Sequence, residues 1–306
     1  MLSCFFAGQG AQFPGMGKDL AEKDAEIMAL FDKANEVLGF DIKTLCFEGP
    51  AEALTKSDIC QPAIFIVSMA CHKAFMKACP SVHFEAAAGL SLGEWTALCV
   101  AGVLDFETTL RILQARGKYM QEACNLAPSG MISIMGASAE QLKSICDNSG
   151  CTISNINSDS QQVISGTHEA VAKAAELAAA QGVKNVVLQV AGAFHSPFMT
   201  PAREKLAAFI KAIPFAQPTL PILSNATGTF HSTNGEEIKA AMLTQVDHPV
   251  HFSDCVKAVM KGSDLFVEFG PGKVLSGLIR RIDKANAVTN VQDGATLEAT
   301  VAKLNA

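Results

Sequence analysis

At 306 residues and 49% hydrophobic, the chain can bury one large core, or one large and one small, without help from metals or disulfides. A net charge of −6 and an isoelectric point near 5.7 leave no basic excess to neutralise a phosphate backbone, so no nucleic-acid partner is expected. No apolar stretch reads as a bilayer span, Met1 to Gly10 lacks the basic start of a signal peptide, and ten scattered cysteines contain no C-x-x-C pair; a cytoplasmic protein without a metal site is expected.

Leu2 to Phe6 reads as a short strand that ends in the loop Gly8-Gln9-Gly10. Asp24 to Leu38 is an amphipathic helical pattern, and Pro62 suits the first turn of a buried helix running to about Cys79. Phe84 to Ala88 is a candidate strand leading through Gly89 into a helix from about Gly93 to Ala101. Between Ala123 and Val190 the order changes to strand (Met131 to Met135), helix (Ala139 to Asn148), strand (Thr152 to Ile156), strand (Gln162 to Ser165), helix (His168 to Ala180) and strand (Asn185 to Val190). That is the β-α-β-β-α-β order of a ferredoxin-like unit. Beyond it, Ala193 to Lys211 reads as mostly helical, Leu220 to Ser224 as a strand and Gly235 to Thr244 as a helix. Leu265 to Phe269 reads as a strand entering Gly270-Pro271-Gly272 and a last long helix. The expected fold is α/β: a large α/β-hydrolase-like domain (1–122 and 191–306) carrying an inserted small ferredoxin-like domain (123–190), with the active site in the cleft between them.

Gly89-Leu90-Ser91-Leu92-Gly93 fits G-x-S-x-G, in which a serine sits on a sharp turn from strand to helix. A side chain at either glycine would collide with the neighbouring elements, and the helix that follows aims its free N–H groups at whatever the serine attacks. Among seven histidines, His195 stands out by its place after a strand, in a turn, at the start of a helix (Gly192 to Pro197). No aspartate near it completes a Ser-His-Asp triad, so a backbone carbonyl is the alternative partner for its ring.

G-Q-G-A-Q (Gly8 to Gln12), Q-P-A (Gln61 to Ala63), G-L-S-L-G-E-W (Gly89 to Trp95), A-R-G-K-Y-M-Q (Ala115 to Gln121), N-I-N-S (Asn155 to Ser158), A-F-H-S (Ala193 to Ser196) and E-F-G-P-G-K-V-L (Glu268 to Leu275) resemble, in order and over nearly the whole chain, the signatures of the malonyl-CoA:acyl carrier protein transacylase family. The resemblance implies a ping-pong reaction in which Ser91 takes a malonyl group from coenzyme A and surrenders it to the phosphopantetheine thiol of an acyl carrier protein, with His195 as base. It implies an oxyanion hole from the backbone N–H groups of Gln9 and Leu92, and a two-pronged contact from Arg116 to the malonyl carboxylate. Phe194, Asn155 and Asn157 would line the substrate pocket, and the backbone carbonyl of His251 would orient the His195 ring. The coenzyme A thioester is then a substrate, no cofactor is held permanently, and a monomer is expected.

Three departures from the family pattern stand out. Leu90 replaces a histidine before the nucleophile, Ala7 replaces a proline and so should loosen the loop carrying Gln9, and His251 replaces a glutamine or arginine. Lys273, Arg280, Arg281 and Lys284, or Arg203 and Lys205, could give an acidic carrier protein a local basic surface. The competing functions are a trans-acting polyketide-synthase acyltransferase, an acyl or thioester hydrolase, and a carrier-binding subunit with a degenerate site.

Overall fold

Short apolar runs become strands buried on both faces, and the amphipathic runs between them become the helices that cover them. In a computed structural model of the chain, which describes residues 1–305, the strands are β1 (Leu2–Phe6), β2 (Phe84–Gly89), β3 (Ser129–Met135), β4 (Thr152–Ser158), β5 (Gln161–Thr167), β6 (Lys184–Val187), β7 (Leu265–Phe269) and β8 (Val288–Val291). They form two separate sheets. One is parallel throughout, in the order β2-β1-β7-β8, and the other is antiparallel, in the order β4-β5-β3-β6.

The antiparallel sheet shows the alternation expected of strands with two different faces. Ile132, Ile134 and Ile164 turn toward the helices Ala139–Ser149 and His168–Ala180 and pack with Ile145, Val171 and Ala174. Met131 and Val163 turn the other way and join the main core with Phe194 and Cys124. Backbone bonds tie β4 to the segment just before the helix Phe252–Met260: Val250 N–H donates to Ser154 O at 2.9 Å, and Ile156 N–H donates to Val250 O at 2.8 Å.

Most elements fall where periodicity places them, and the differences have local causes. Pro62 sits inside the helix Ser57–Ala78, in its second turn rather than its first. At 22 residues this helix is also long and apolar enough to cross a bilayer, against the expectation that no stretch is; most of it is buried against the protein's own core. Leu220 to Ser224 makes isolated bridges rather than a strand, Ile222 with Ala87 and Leu223 with Phe230. The expected last long helix is three elements: the helix Val274–Ile282, β8, and the helix Gly294–Leu304 capped by Asp293.

Close approaches at glycine set the site. A Cβ on Gly89 would lie 2.0 Å from the backbone of Gly93, and one on Gly93 would lie 2.1 Å from Phe6 O, so β1, β2 and the helix Leu92–Val100 meet only without side chains there. A Cβ on Gly117 would lie 2.2 Å from Ser57 O, which lets the helix Phe106–Leu126 pack on Ser57–Ala78 and sets Arg116 beside Gln61. Ala7 does not loosen the loop after it. Its N–H donates to Phe269 O at 3.1 Å and extends the pairing of β1 with β7, a bond a proline could not make.

Candidate active site

The chain turns sharply at the end of β2, and Ser91 occupies the corner with φ 55° and ψ −104°, a strained conformation for a residue with a side chain. Two contacts hold it there: Ser91 N–H donates to Asn225 Oδ1 at 2.7 Å, and Ser91 O accepts from Gln245 Nε2 at 2.9 Å. Leu92 opens the helix that follows, so its N–H has no acceptor within the helix. The Gly8-Gln9-Gly10 loop packs against the same corner, where a Cβ on Gly8 would lie 2.6 Å from Leu90 O.

His195 also has a positive φ, 56°, in a turn tied to β3 by Ala193 N–H donating to Ser129 Oγ at 3.1 Å. Its Nε2 lies 2.8 Å from Ser91 Oγ and its Nδ1 lies 2.7 Å from Gln245 O. A carbonyl oxygen only accepts, so Nδ1 carries the proton, and Nε2 is left with its lone pair on the serine hydroxyl. Burial and the nearby Arg116 cation push the His195 pKa down from 6.5 to about 4, so the ring is neutral at physiological pH. We predict that the acid limb of kcat/KM for the acyl donor lies near pH 4 and moves up toward 6.5 in Arg116→Ala, where the repelling charge is gone. A limb at 6.5 in the unaltered protein contradicts this; a pH series of initial rates measures it.

The carbonyl that holds the His195 ring belongs to Gln245, which corrects the expectation of His251. The carbonyl of His251 already accepts Cys255 N–H at 3.1 Å as the first bond of the helix Phe252–Met260. The His251 N–H donates to Asn225 O at 2.8 Å, and its ring lies 3.1 Å from Asp254 Oδ2. Gln245 O is free because the helix Gly235–Asp247 ends there and the residue four positions on is Pro249, which has no N–H.

Arg116 is 1% exposed. Its Nη1 donates to Gln61 Oε1 at 2.7 Å, and its Nη2 donates to Gln245 Oε1 at 2.9 Å and Ser91 Oγ at 3.0 Å. Burial lowers its pKa from 12.5 to about 10, which leaves it cationic at neutral pH. All three acceptors are neutral and its buried Nε has no partner among the described residues, so the guanidinium keeps capacity for an anion beside the serine.

These groups open on a cavity of about 860 Å³ between the two sheets. Gln9, Leu90, Ser91, Phe194 and His195 line it from one side, and Asn155, Asn157 and Leu188 from the other. Asn157 Oδ1 is buried without a hydrogen-bond partner. Every expected site residue except His251 therefore contacts this cavity or, like Leu92 and Arg116, lies against its serine. Of the basic surface candidates, Lys205 pairs with Glu122 at 2.6 Å, Arg203 with Asp247 at 3.3 Å, and Arg281 with Gln161, whereas exposed Lys273 adjoins Val274 at the cavity mouth.

A strained serine, an imidazole with its lone pair on the hydroxyl and a buried guanidinium beside both can accept an acyl group and favour one that ends in an anion. The corresponding class is the acyl transferases: the family model described as "Acyl transferase domain" matches residues 4–298. Malonyl CoA-acyl carrier protein transacylase of Bacillus subtilis (strain 168) is 37% identical, the match covering 99% of this chain and 97% of that protein. The crystal structure of malonyl CoA-acyl carrier protein transacylase from Clostridium perfringens superposes with a TM-score of 0.94 at 36% identity, covering 99% of this chain and 97% of that one. A malonyl-transacylase solved in complex with its type II PKS acyl-carrier protein gives a TM-score of 0.94 at 33% identity, covering 99% of each chain. The chain belongs to the malonyl CoA-acyl carrier protein transacylase family.

Proposed function

We propose that the chain moves a malonyl group from malonyl-CoA to the phosphopantetheine thiol of an acyl carrier protein through an ester on Ser91. The observation that carries this reading is the Arg116 guanidinium, buried, cationic and 3.0 Å from Ser91 Oγ, whose direct hydrogen-bond acceptors are all neutral. A serine enzyme for uncharged acyl chains has no use for a desolvated cation at that point.

Ser91 Oγ attacks the thioester carbonyl as His195 Nε2 takes its proton, and the N–H groups of Gln9 and Leu92 receive the oxyanion. Collapse breaks the carbon–sulfur bond, and the imidazolium returns the proton to the departing coenzyme A sulfur. In the second half the pantetheine thiol gives its proton to His195, its sulfur attacks the ester, and the proton returns to Ser91 Oγ as the malonyl group leaves. Each proton and electron pair comes from Ser91, His195 or the two thiols, so the scheme needs no bound cofactor. Phe194, 7% exposed beside the base, fills the space that a 2-methyl group on the acyl chain would require. Asn155 and Asn157 are assigned to the pantetheine arm, which is rich in amides that match the unpartnered Asn157 Oδ1.

The same reading divides the chain into an α/β-hydrolase-like catalytic unit, 1–122 with 191–306, and a ferredoxin-like unit, 123–190. The strand order β4-β5-β3-β6, with both crossover helices on one face, supports the second assignment. Its carrier would dock at the cavity mouth near Lys273, and ten cysteines without a disulfide among them suit a cytoplasmic location. A polyketide carrier is the alternative acceptor, favoured by the structural neighbour solved with one.

The test sets carrier acylation against free malonate release from malonyl-CoA. Acylation should exceed release by about a hundredfold or more once carrier is present, since the enzyme must protect the ester from water. Release at the same rate with or without carrier would make the chain a hydrolase instead.

A further inference from the structure

A buried carboxylate that the transfer steps do not touch lies directly behind the nucleophile. Glu94, in the first turn of the helix Leu92–Val100, is fully buried. Its Oε1 accepts from His231 Nε2 at 2.6 Å, and its Oε2 accepts from Gln245 Nε2 at 2.6 Å and from Asn225 N–H at 3.1 Å. The His231 side chain is 2% exposed. One tight reversal supplies two of these donors: Ser224 N–H donates to Thr229 O, His231 N–H donates to Ile222 O, and Gly228 takes the positive φ of 69° that the bend requires. Asn225 and His231 thereby reach Glu94 from the two ends of the same short segment.

The chemistry of a carboxylate sets the direction of what it touches. The NH2 end of the Gln245 amide donates to Glu94 Oε2 at 2.6 Å and to Ser91 O at 2.9 Å, so two acceptors fix which way the amide faces. The oxygen end must then face Arg116, where it accepts from Nη2 at 2.9 Å. An amide is nearly symmetric in shape, and in the reversed orientation its NH2 group would oppose the guanidinium, donor against donor. His231 in turn holds Glu94 by the other oxygen. We propose that Glu94, oriented by His231, is a positioning residue that locks the Gln245 amide and through it aims the Arg116 guanidinium at the acyl site. This rests on the reading of Arg116 as the partner of the malonyl carboxylate.

Measuring kcat and KM with malonyl-CoA and with acetyl-CoA, on the full chain with a carrier protein as acceptor, tests the relay. A misaimed guanidinium harms chiefly the donor that carries a free carboxylate, whereas general loosening harms both. Glu94→Gln keeps the shape and the burial but replaces the charged acceptor with a neutral amide, leaving Ser91 O at 2.9 Å to hold the Gln245 NH2 group, so the amide turns more readily. It should lower the malonyl-to-acetyl ratio of kcat/KM by about tenfold, chiefly through a higher KM for malonyl-CoA. His231→Phe should lower the ratio in the same direction by less, and His231→Gln, which restores a donor, should bring it back. If Glu94→Gln yields no folded protein, the ratio in His231→Phe decides. Arg116→Ala run alongside separates the two levels of the argument. A drop there with none in Glu94→Gln or His231→Phe, or an equal loss on both donors in those two, overturns the relay alone; no drop in Arg116→Ala overturns the assignment of Arg116 itself.

Discussion

Replacing Ser91 with alanine should lower malonyl transfer by about 10⁴-fold or more, with little change in fold, because the nucleophile acts as a unit with its base. Among the described residues the side chain has two partners, His195 Nε2 at 2.8 Å and Arg116 Nη2 at 3.0 Å, and the backbone turn is held independently by Asn225 and Gln245. Removing the hydroxyl therefore deletes the attacking atom and leaves its cradle. Rates followed by carrier acylation, with the melting temperature as a control for folding, check both halves of the expectation. Residual activity within tenfold of the unaltered protein would mean that the acyl group passes directly from thiol to thiol.

Arg116→Ala should act on one substrate far more than on the other. A charge-assisted hydrogen bond contributes about 1.5 to 3 kcal/mol, so loss of the guanidinium should reduce malonyl transfer relative to acetyl transfer by about tenfold to more than a hundredfold. Acetyl transfer gains a compensation, since the cation that depresses the basicity of His195 is gone. The substitution also strips Gln61 Oε1 and Gln245 Oε1 of their buried donor, so some loss of stability accompanies it. A side-by-side comparison of the two acyl donors at equal acceptor concentration separates selectivity from stability, and equal losses on both would refute the role of Arg116.

The elbow is legible because its chemistry is local: strand, two glycines, serine and helix follow one another between Phe84 and Val100, and steric contact at Gly89 and Gly93 leaves few alternatives. The partnership of Ser91 with His195 spans 104 residues, and nothing in spacing or composition measures that distance; the resemblance to a family carried it. The resemblance points to His251 for the carbonyl behind His195, whereas Gln245, six residues earlier, supplies it. A local signal for Gln245 was nevertheless present, because a proline at 249 frees the carbonyl four residues before it at the end of a helix. Gln245 supplies backbone and side chain to three members of the site, His195, Arg116 and Ser91, and no local motif announces its side-chain contacts. His231 and Asn225 reach the site through a tight reversal whose pairing is tertiary, and no periodicity marks it. In the fold, β8 was absorbed into a helix because Val288–Val291 is a four-residue edge strand whose apolar pattern fits either state.

The central claim is that an acyl ester forms on Ser91, and intact mass spectrometry after brief mixing with malonyl-CoA tests it most directly. The account predicts one malonyl adduct per chain, mapped by peptide digestion to Ser91, absent in Ser91→Ala and discharged by addition of a carrier protein bearing its pantetheine thiol. An adduct that persists in Ser91→Ala, or one that the carrier thiol cannot remove, would contradict it.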